Sequence, residues 1–208
     1  MAIVAAESMS GFFLEVVEDA LKSRRVEATG STTSYLVALL TDYAHPGSRA
    51  GEALARPLAF LLHEAVGHPD PAERFERLRS LGDGVLYSCG FFGDHFEARG
   101  VDQRYLFGIG ATAYGTASAM LLRSTPDTSS LRADEPPVDI FGDLAQRFGA
   151  FVDVLTDVAD STITMGTADA KSLLKVYERW LKTGSDRLAQ TLTSHGLVPT
   201  RGVKGVLQ

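Results

Sequence analysis

Three groups of titratable side chains sit where helical spacing can bring them together, and each implies a different chemistry. Asp42 and His45 are three residues apart, with Glu64 and His68 further along the chain. Carboxylates and imidazoles drawn from two helices in that way can ligate a transition metal. The run from His63 to His68 has the look of a zinc-protease motif, but its histidines are five apart and therefore about 140° out of phase on a helix. The chain also has no Glu-x-x-His pair of the kind that di-iron bundles use. His45 and His68 each precede a proline, so capping of a helix C-terminus accounts for both positions. No metal and no other cofactor is expected, and the four residues remain only weak metal candidates.

The second group is Asp94, His95 and Asp102, with Glu97, Arg99 and Arg104 in the same turn. An acid–base or ion-binding site fits that mixture, as do helix capping and local ion pairing. The third is Asp83, set among glycines and apolar residues, with Tyr87 one turn on. A buried aspartate needs a partner, and Tyr105 or Tyr114 on the next helix can supply it. Asp83, Tyr87, Asp94, His95, Asp102 and Tyr105 are accordingly the candidate polar or ligand site.

Other motifs carry less. Cys89 lies among Leu86, Phe91 and Phe92, a setting for a core thiol rather than a reactive one. Gly108, Gly110 and Gly115 do not have dinucleotide-loop spacing. Asp153, Asp157 and Asp160 form an acidic stripe that reads as a solvated face. Arg74, Arg77 and Arg79 lie on a helix that also carries glutamates, and likewise read as a solvated face.

The elements that must position these groups are helical throughout. Apolar residues recur three, four or seven apart, and no alternating strand pattern is present. The spacing predicts helices from Ser8 or Ser10 to Arg25, from Ser31 or Thr32 to Ala44, and from Ser48 to Val66 with a break or kink at Pro57. Two more run from Pro71 to about Gly100 and from Asp102 to about Arg123, and form an antiparallel hairpin. The last two span Asp139 to Asp160 and Thr167 to His195, the latter with Leu173, Leu174, Tyr177, Trp180, Leu181, Leu188 and Leu192 inward. The expected fold is an all-α, single-domain bundle of six to seven helices over residues 1–199. Residues 124–138 form a polar loop and 200–208 a C-terminal tail.

Tyr105 to Leu122 holds no charge, and eight of the 20 glycines fall between Gly82 and Gly115. Gly108 and Thr112, and likewise Ala111, Gly115 and Ala119, recur at four-residue steps, the spacing that lets helix backbones approach closely. A central helix packed on two neighbours is expected. A membrane span is not, because the run is short and rich in glycine and hydroxyls.

A net charge of −6 disfavours nucleic acid, and the N-terminus lacks a basic, then apolar, leader. The function that follows is a non-catalytic, cytoplasmic interaction or regulatory protein, a homodimer or a subunit of a complex. The alternatives are a bundle that binds an apolar small molecule between the glycine-rich hairpin and aromatic helices, and a metal-dependent enzyme.

Overall fold

In the computed structural model, residues 2–45, 56–124, 139–165 and 170–200 are described. The expected polar loop, the start of the third helix at Ser48, the Thr167 cap and most of the tail lie outside them. The protein is an all-α bundle with nine helices among the described residues. They are α1 (Ala2–Arg24), α2 (Gly30–Ala44), α3 (Leu58–Val66), α4 (Pro71–Ala98), α5 (Gln103–Ser124), α6 (Ile140–Gln146), α7 (Phe148–Met165), α8 (Ala170–Thr183) and α9 (Asp186–Ser194). Two compact units are present, residues 1–156 and 157–208.

Local chemistry sets most of the ends. Thr29, rather than Ser31 or Thr32, caps α2 by accepting the Thr32 N–H at 3.0 Å. Pro57 precedes a fresh helix, α3, since proline suits a helix start better than an interior. Asp70 caps α4 with Pro71 in its first turn, and Asp102 caps α5 by accepting the Arg104 N–H at 2.8 Å. Between these two helices the chain turns at Gly100, whose φ of +70° is open to glycine at no steric cost. The two extra helices arise where long spans divide. Arg147 (φ −117°, ψ 30°) separates α6 from α7, and Gly184 (φ +67°) separates α8 from α9.

In the first unit, α4 and α5 form the expected antiparallel hairpin, with α3 against α4, α6 against α5, and α1 against α2. Val17, Leu36, Leu78, Leu86, Leu144 and Phe151 are among its fully buried residues. Each contributes about 1.5–3 kcal/mol of burial. In the second unit, Val176, Trp180, Leu188 and Leu192 form a small core, with Ile163, Leu173, Tyr177 and Ala189 against it. There the Arg179 Nε donates to the buried Asp160 carboxylate at 2.5 Å. Asp160 is thus an interior ion-pair partner, not part of a solvated acidic face. Leu174 and Leu181, expected inward, are 55% and 45% exposed because the α8 stripe is centred on Val176 and Trp180.

Close packing in the hairpin falls on glycines other than those expected. A Cβ on Gly82 would lie 2.6 Å from the Tyr114 ring, and one on Gly110 would overlap the Phe148 ring. On Gly90 it would overlap Leu155. Gly108 and Thr112 are instead exposed, and a Cβ on Gly108 meets nothing within 4 Å. Ala111 and Ala119 are half-buried, and Gly115 makes only an ordinary approach to Ala145. The buried side of α5 runs instead through Leu106, Ile109, Ala113, Tyr114 and Ala117.

Two alanine substitutions separate these cases. Gly82→Ala is expected to destabilise by about 1–3 kcal/mol, since the ring must move. Gly11→Ala on α1, where nothing lies within 4 Å, is expected to stabilise by about 0.4–1 kcal/mol. Urea unfolding of both variants measures the difference. An equal effect of the two would remove the packing role of Gly82.

Candidate functional site

The polar centre of the first unit is Asp83, near the middle of α4 and only 6% exposed. Its Oδ1 accepts the Tyr35 hydroxyl of α2 at 2.6 Å and the Tyr114 hydroxyl of α5 at 2.7 Å. Its Oδ2 accepts from the Arg79 guanidinium at 3.3 Å, one turn earlier on α4. Arg79 also donates twice to Glu76, at 2.7 and 3.2 Å. The preceding residue is why Tyr114 reaches: Gly82 lets the phenol ring lie against the α4 backbone. Phe141 of α6 then holds both tyrosines, with its ring edge-on to Tyr35 at 5.4 Å and tilted on Tyr114 at 5.8 Å. Phe75 meets the same ring edge-on at 5.5 Å.

Burial pushes the Asp83 carboxyl up to about 6, against the pull of the two phenols and Arg79. Burial, and then the Asp83 charge, raise Tyr35, Tyr43 and Tyr114 well above the usual tyrosine range. These phenols therefore stay protonated and serve as donors only. Burial works against the Arg79 charge, but Glu76 and Asp83 outweigh it and raise its pKa. The ensemble can hold or release one proton at Asp83 near neutrality, and it contains no activated nucleophile. Burial also pushes the Cys89 thiol up to about 12, consistent with a core residue.

A cleft of about 620 Å³ opens beside this centre, lined by α2, α3 and α4 and reaching Asp83. Asp42 and Tyr43 line it from α2. Arg56 and Glu64 line it too, joined by two hydrogen bonds of 2.6 and 2.9 Å. A second, shallower groove of about 430 Å³ runs along α5 beside the end of α3 and the start of α4. Thr112, Gly115, Thr116 and Ala119 line it, together with Val66, Arg74, Met120 and Arg123.

The residues singled out in the sequence do not form one site. Tyr87 is half-buried and belongs to an aromatic row, 4.6 Å from the Tyr43 ring and stacked on Phe91 at 4.5 Å. Asp94 and His95 lie at least 11 residues further along α4, beyond a break in its helical geometry at Phe92 (φ −127°, ψ 24°). Asp102 is exposed and acts as a cap, and Tyr105 is 44% exposed. The Asp94–Asp102 turn is thus separate from the Asp83 centre, and Tyr114, not Tyr105, is the partner on α5.

The metal candidates fare similarly. Glu64 is occupied by Arg56, His45 is the C-cap residue of α2, and His68 Nδ1 lies 3.4 Å from the Asp70 carbonyl. His68 therefore faces the loop rather than the free carbonyls of α3. Among the described residues, no three His, Cys, Asp or Glu side chains are grouped to hold a metal ion.

Sequence reasoning missed Tyr35, Arg79 and the linking role of Phe141. The i, i+4 spacing of Arg79 and Asp83 was a usable signal, hidden by reading Arg79 together with Arg74 and Arg77 as one solvated face. Tyr35 lies 48 residues from Asp83 and left no local trace.

No family model matches the chain, and neither does any curated protein or solved structure. Among the described residues one helix, over Gln103–Arg123, is long and apolar enough to cross a membrane by length and composition; its apolar window is 39% buried.

The Asp83 centre makes stability depend on pH. Its folded carboxyl titrates near 6 and the unfolded one near 3.8, so the native state binds more protons between those values. Its contribution is greatest below about pH 4 and is lost as pH rises through about 6. Relative to Asp83→Asn, the wild type is expected to gain melting temperature as pH falls from 7 to 4.5. Paired scanning calorimetry checks this, and parallel curves for the two proteins would refute the assignment.

Proposed function

We propose that the protein is a non-catalytic cytoplasmic interaction module that self-associates through the outer face of α5. One observation carries this reading: an 18-residue stretch without charge leaves most of its residues incompletely buried. An uncharged helix face that the described residues leave exposed is a candidate for cover by a partner.

The order of residues favours a second copy. Tyr105, Gly108, Thr112, Gly115, Ala119 and Leu122 follow one another at steps of three, four, three, four and three. All six are exposed or half-buried. That spacing is the seam of a two-helix coil, and it reads the same in both directions. An antiparallel pair about a two-fold axis therefore sets Tyr105 against Leu122 of the second copy, Gly108 against Ala119, and Thr112 against Gly115. Large residues close the ends while small ones let the backbones approach. Opposed helix dipoles add to the pairing. Thr116 donates its hydroxyl to the Thr112 carbonyl at 2.7 Å, so it needs no water on that face.

The reading as a binder of an apolar molecule has less support. The side chains of Tyr114, Phe148 and Leu155 fill the space beside Gly82, Gly110 and Gly90.

Sedimentation at tens of micromolar is expected to give twice the 22.3 kDa chain mass. Thr112→Glu and Ala119→Glu are expected to return it to one chain with unchanged far-ultraviolet dichroism. A single-chain mass for the wild type overturns the proposal. Flotation of wild type with lipid vesicles, abolished by the same substitutions, would make the face a membrane contact instead.

A further inference from the structure

Helix α8 carries three stripes, and only one of them faces the core of its own unit. Leu173, Val176 and Trp180 make that stripe. Ala170, Leu174, Tyr177 and Leu181 follow one another at steps of four, three and four and make the second. Leu174 is 55% and Leu181 45% exposed, and Tyr177 is half-buried, with its ring 5.8 Å from that of Trp180. One residue beyond each of these stand Lys171, Lys175, Glu178 and Lys182, all exposed. Successive residues are about 100° apart on a helix, so this charged stripe runs alongside the apolar one. The open side of α8 is leucine bordered by lysine.

The charge on this side opposes that of the chain as a whole. Residues 157–208 contain seven basic and five acidic residues, whereas residues 1–156 contain 13 and 21. On α8 three lysines stand against Glu178, and Arg179 is engaged by Asp160. A basic face of this kind is complementary to an anionic partner.

The residue types then choose among anionic partners. Protein interfaces are enriched in arginine and aromatic residues and depleted in lysine. Single-stranded nucleic acid takes basic grooves with stacking rings, and offers leucine little. A lipid surface uses both halves of this face. Leucines enter the acyl boundary, while lysine stems run along it and keep their ammonium groups at the phosphates. A helix of 14 residues is too short to span a bilayer but long enough to lie in its plane.

We propose that α8 docks the protein on an anionic phospholipid surface, with Leu174 and Leu181 inserted and Lys171, Lys175 and Lys182 at the headgroups. This site is on a different helix from the α5 face and does not rest on self-association.

Flotation of the full-length protein with lipid vesicles tests it. Wild type is expected to float with mixed phosphatidylcholine and phosphatidylserine vesicles, and not with phosphatidylcholine alone. Raising the salt should weaken the association, since it screens the lysines. Lys171→Gln, Lys175→Gln and Lys182→Gln together are expected to weaken partitioning by about 30-fold or more, at about 5-fold for each lysine. Leu174→Gln with Leu181→Gln should cost about 10-fold or more. Glu178→Gln should strengthen partitioning by about 2–5-fold, a gain that misfolding does not imitate.

All these positions are exposed, so far-ultraviolet dichroism is expected to be unchanged. If the leucine pair does not fold, the lysine and Glu178 variants carry the test. Thr112→Glu with Ala119→Glu should float as the wild type does, so this docking and the pairing of α5 fail separately. Absence of flotation with the mixed vesicles overturns the proposal. So does equal flotation of the wild type and the lysine variants, or loss of flotation in the α5 variants alone. If the wild type stays unfloated while the α8 variants change the sedimenting mass, a protein covers this face, and the proposal is equally overturned.

Discussion

An ionised carboxylate taken out of water loses several kcal/mol of hydration, and only well-placed donors return it. At Asp83 those donors come from three helices, so the constraint is geometric as well as energetic. Tyr35 must arrive from α2 and Tyr114 from α5, both at the same oxygen. That fixes how far each helix slides along α4. Phe141 then sits between the two phenols and ties α6 to the same register. A purely apolar contact at this level would add comparable stability with less positional demand, since hydrophobic packing tolerates sliding that a hydrogen bond does not.

The glycines of the hairpin acquire meaning from that centre. Gly82 is adjacent to Asp83 because the ring that solvates the aspartate must lie against the backbone just before it. Gly110, one turn before Tyr114 on α5, admits Phe148, which packs in turn on the Tyr114 ring at 6.0 Å. These positions form one mechanical unit of small residue, large ring and buried charge. Gly108 and Thr112 belong to a different, exposed face, where a Cβ on Gly108 meets nothing within 4 Å. The same absence of charge along α5 thus serves an inner wall that is filled and an outer wall that is open.

Much of the architecture was readable because helix periodicity is a local property. Seven spans were legible, and among the described residues they are nine helices because Arg147 and Gly184 break the backbone. The Asp83–Tyr114 pairing was within reach because a hairpin brings its two arms together with little freedom. Tyr35 was not, because its place depends on how α2 docks, and nothing near residue 35 encodes that. Leu174 and Leu181 show the limit from the other side. Periodicity reveals an apolar stripe, but its exact centre depends on which neighbour covers it, here settled by Val176 and Trp180. The small-residue ladders on α5 meet the same limit: spacing shows that a face is flat, not which surface lies on it. The capping histidines were placed at the right helix ends, yet side-chain reach in a short loop decided what His68 meets.

Asp83 has two sides, and they look onto different surroundings. Oδ1 is turned to the phenols in the interior, while Oδ2 meets Arg79, which is itself half-exposed beside the cleft. The carboxylate therefore links the interior network to a solvent-accessible cation. Protonation at Asp83 would weaken the Arg79 contact and leave both phenols still able to donate to the carbonyl oxygen of the acid. The interior register is thus protected from a change in charge that the cleft experiences in full. Such an asymmetry follows from placing two neutral donors inside and one charged donor outside. The reverse placement would have tied the protonation state to the packing of α2 against α5. As built, the charge at Asp83 is a variable of the cleft, and the hydrogen bonds at Oδ1 are a fixture of the fold.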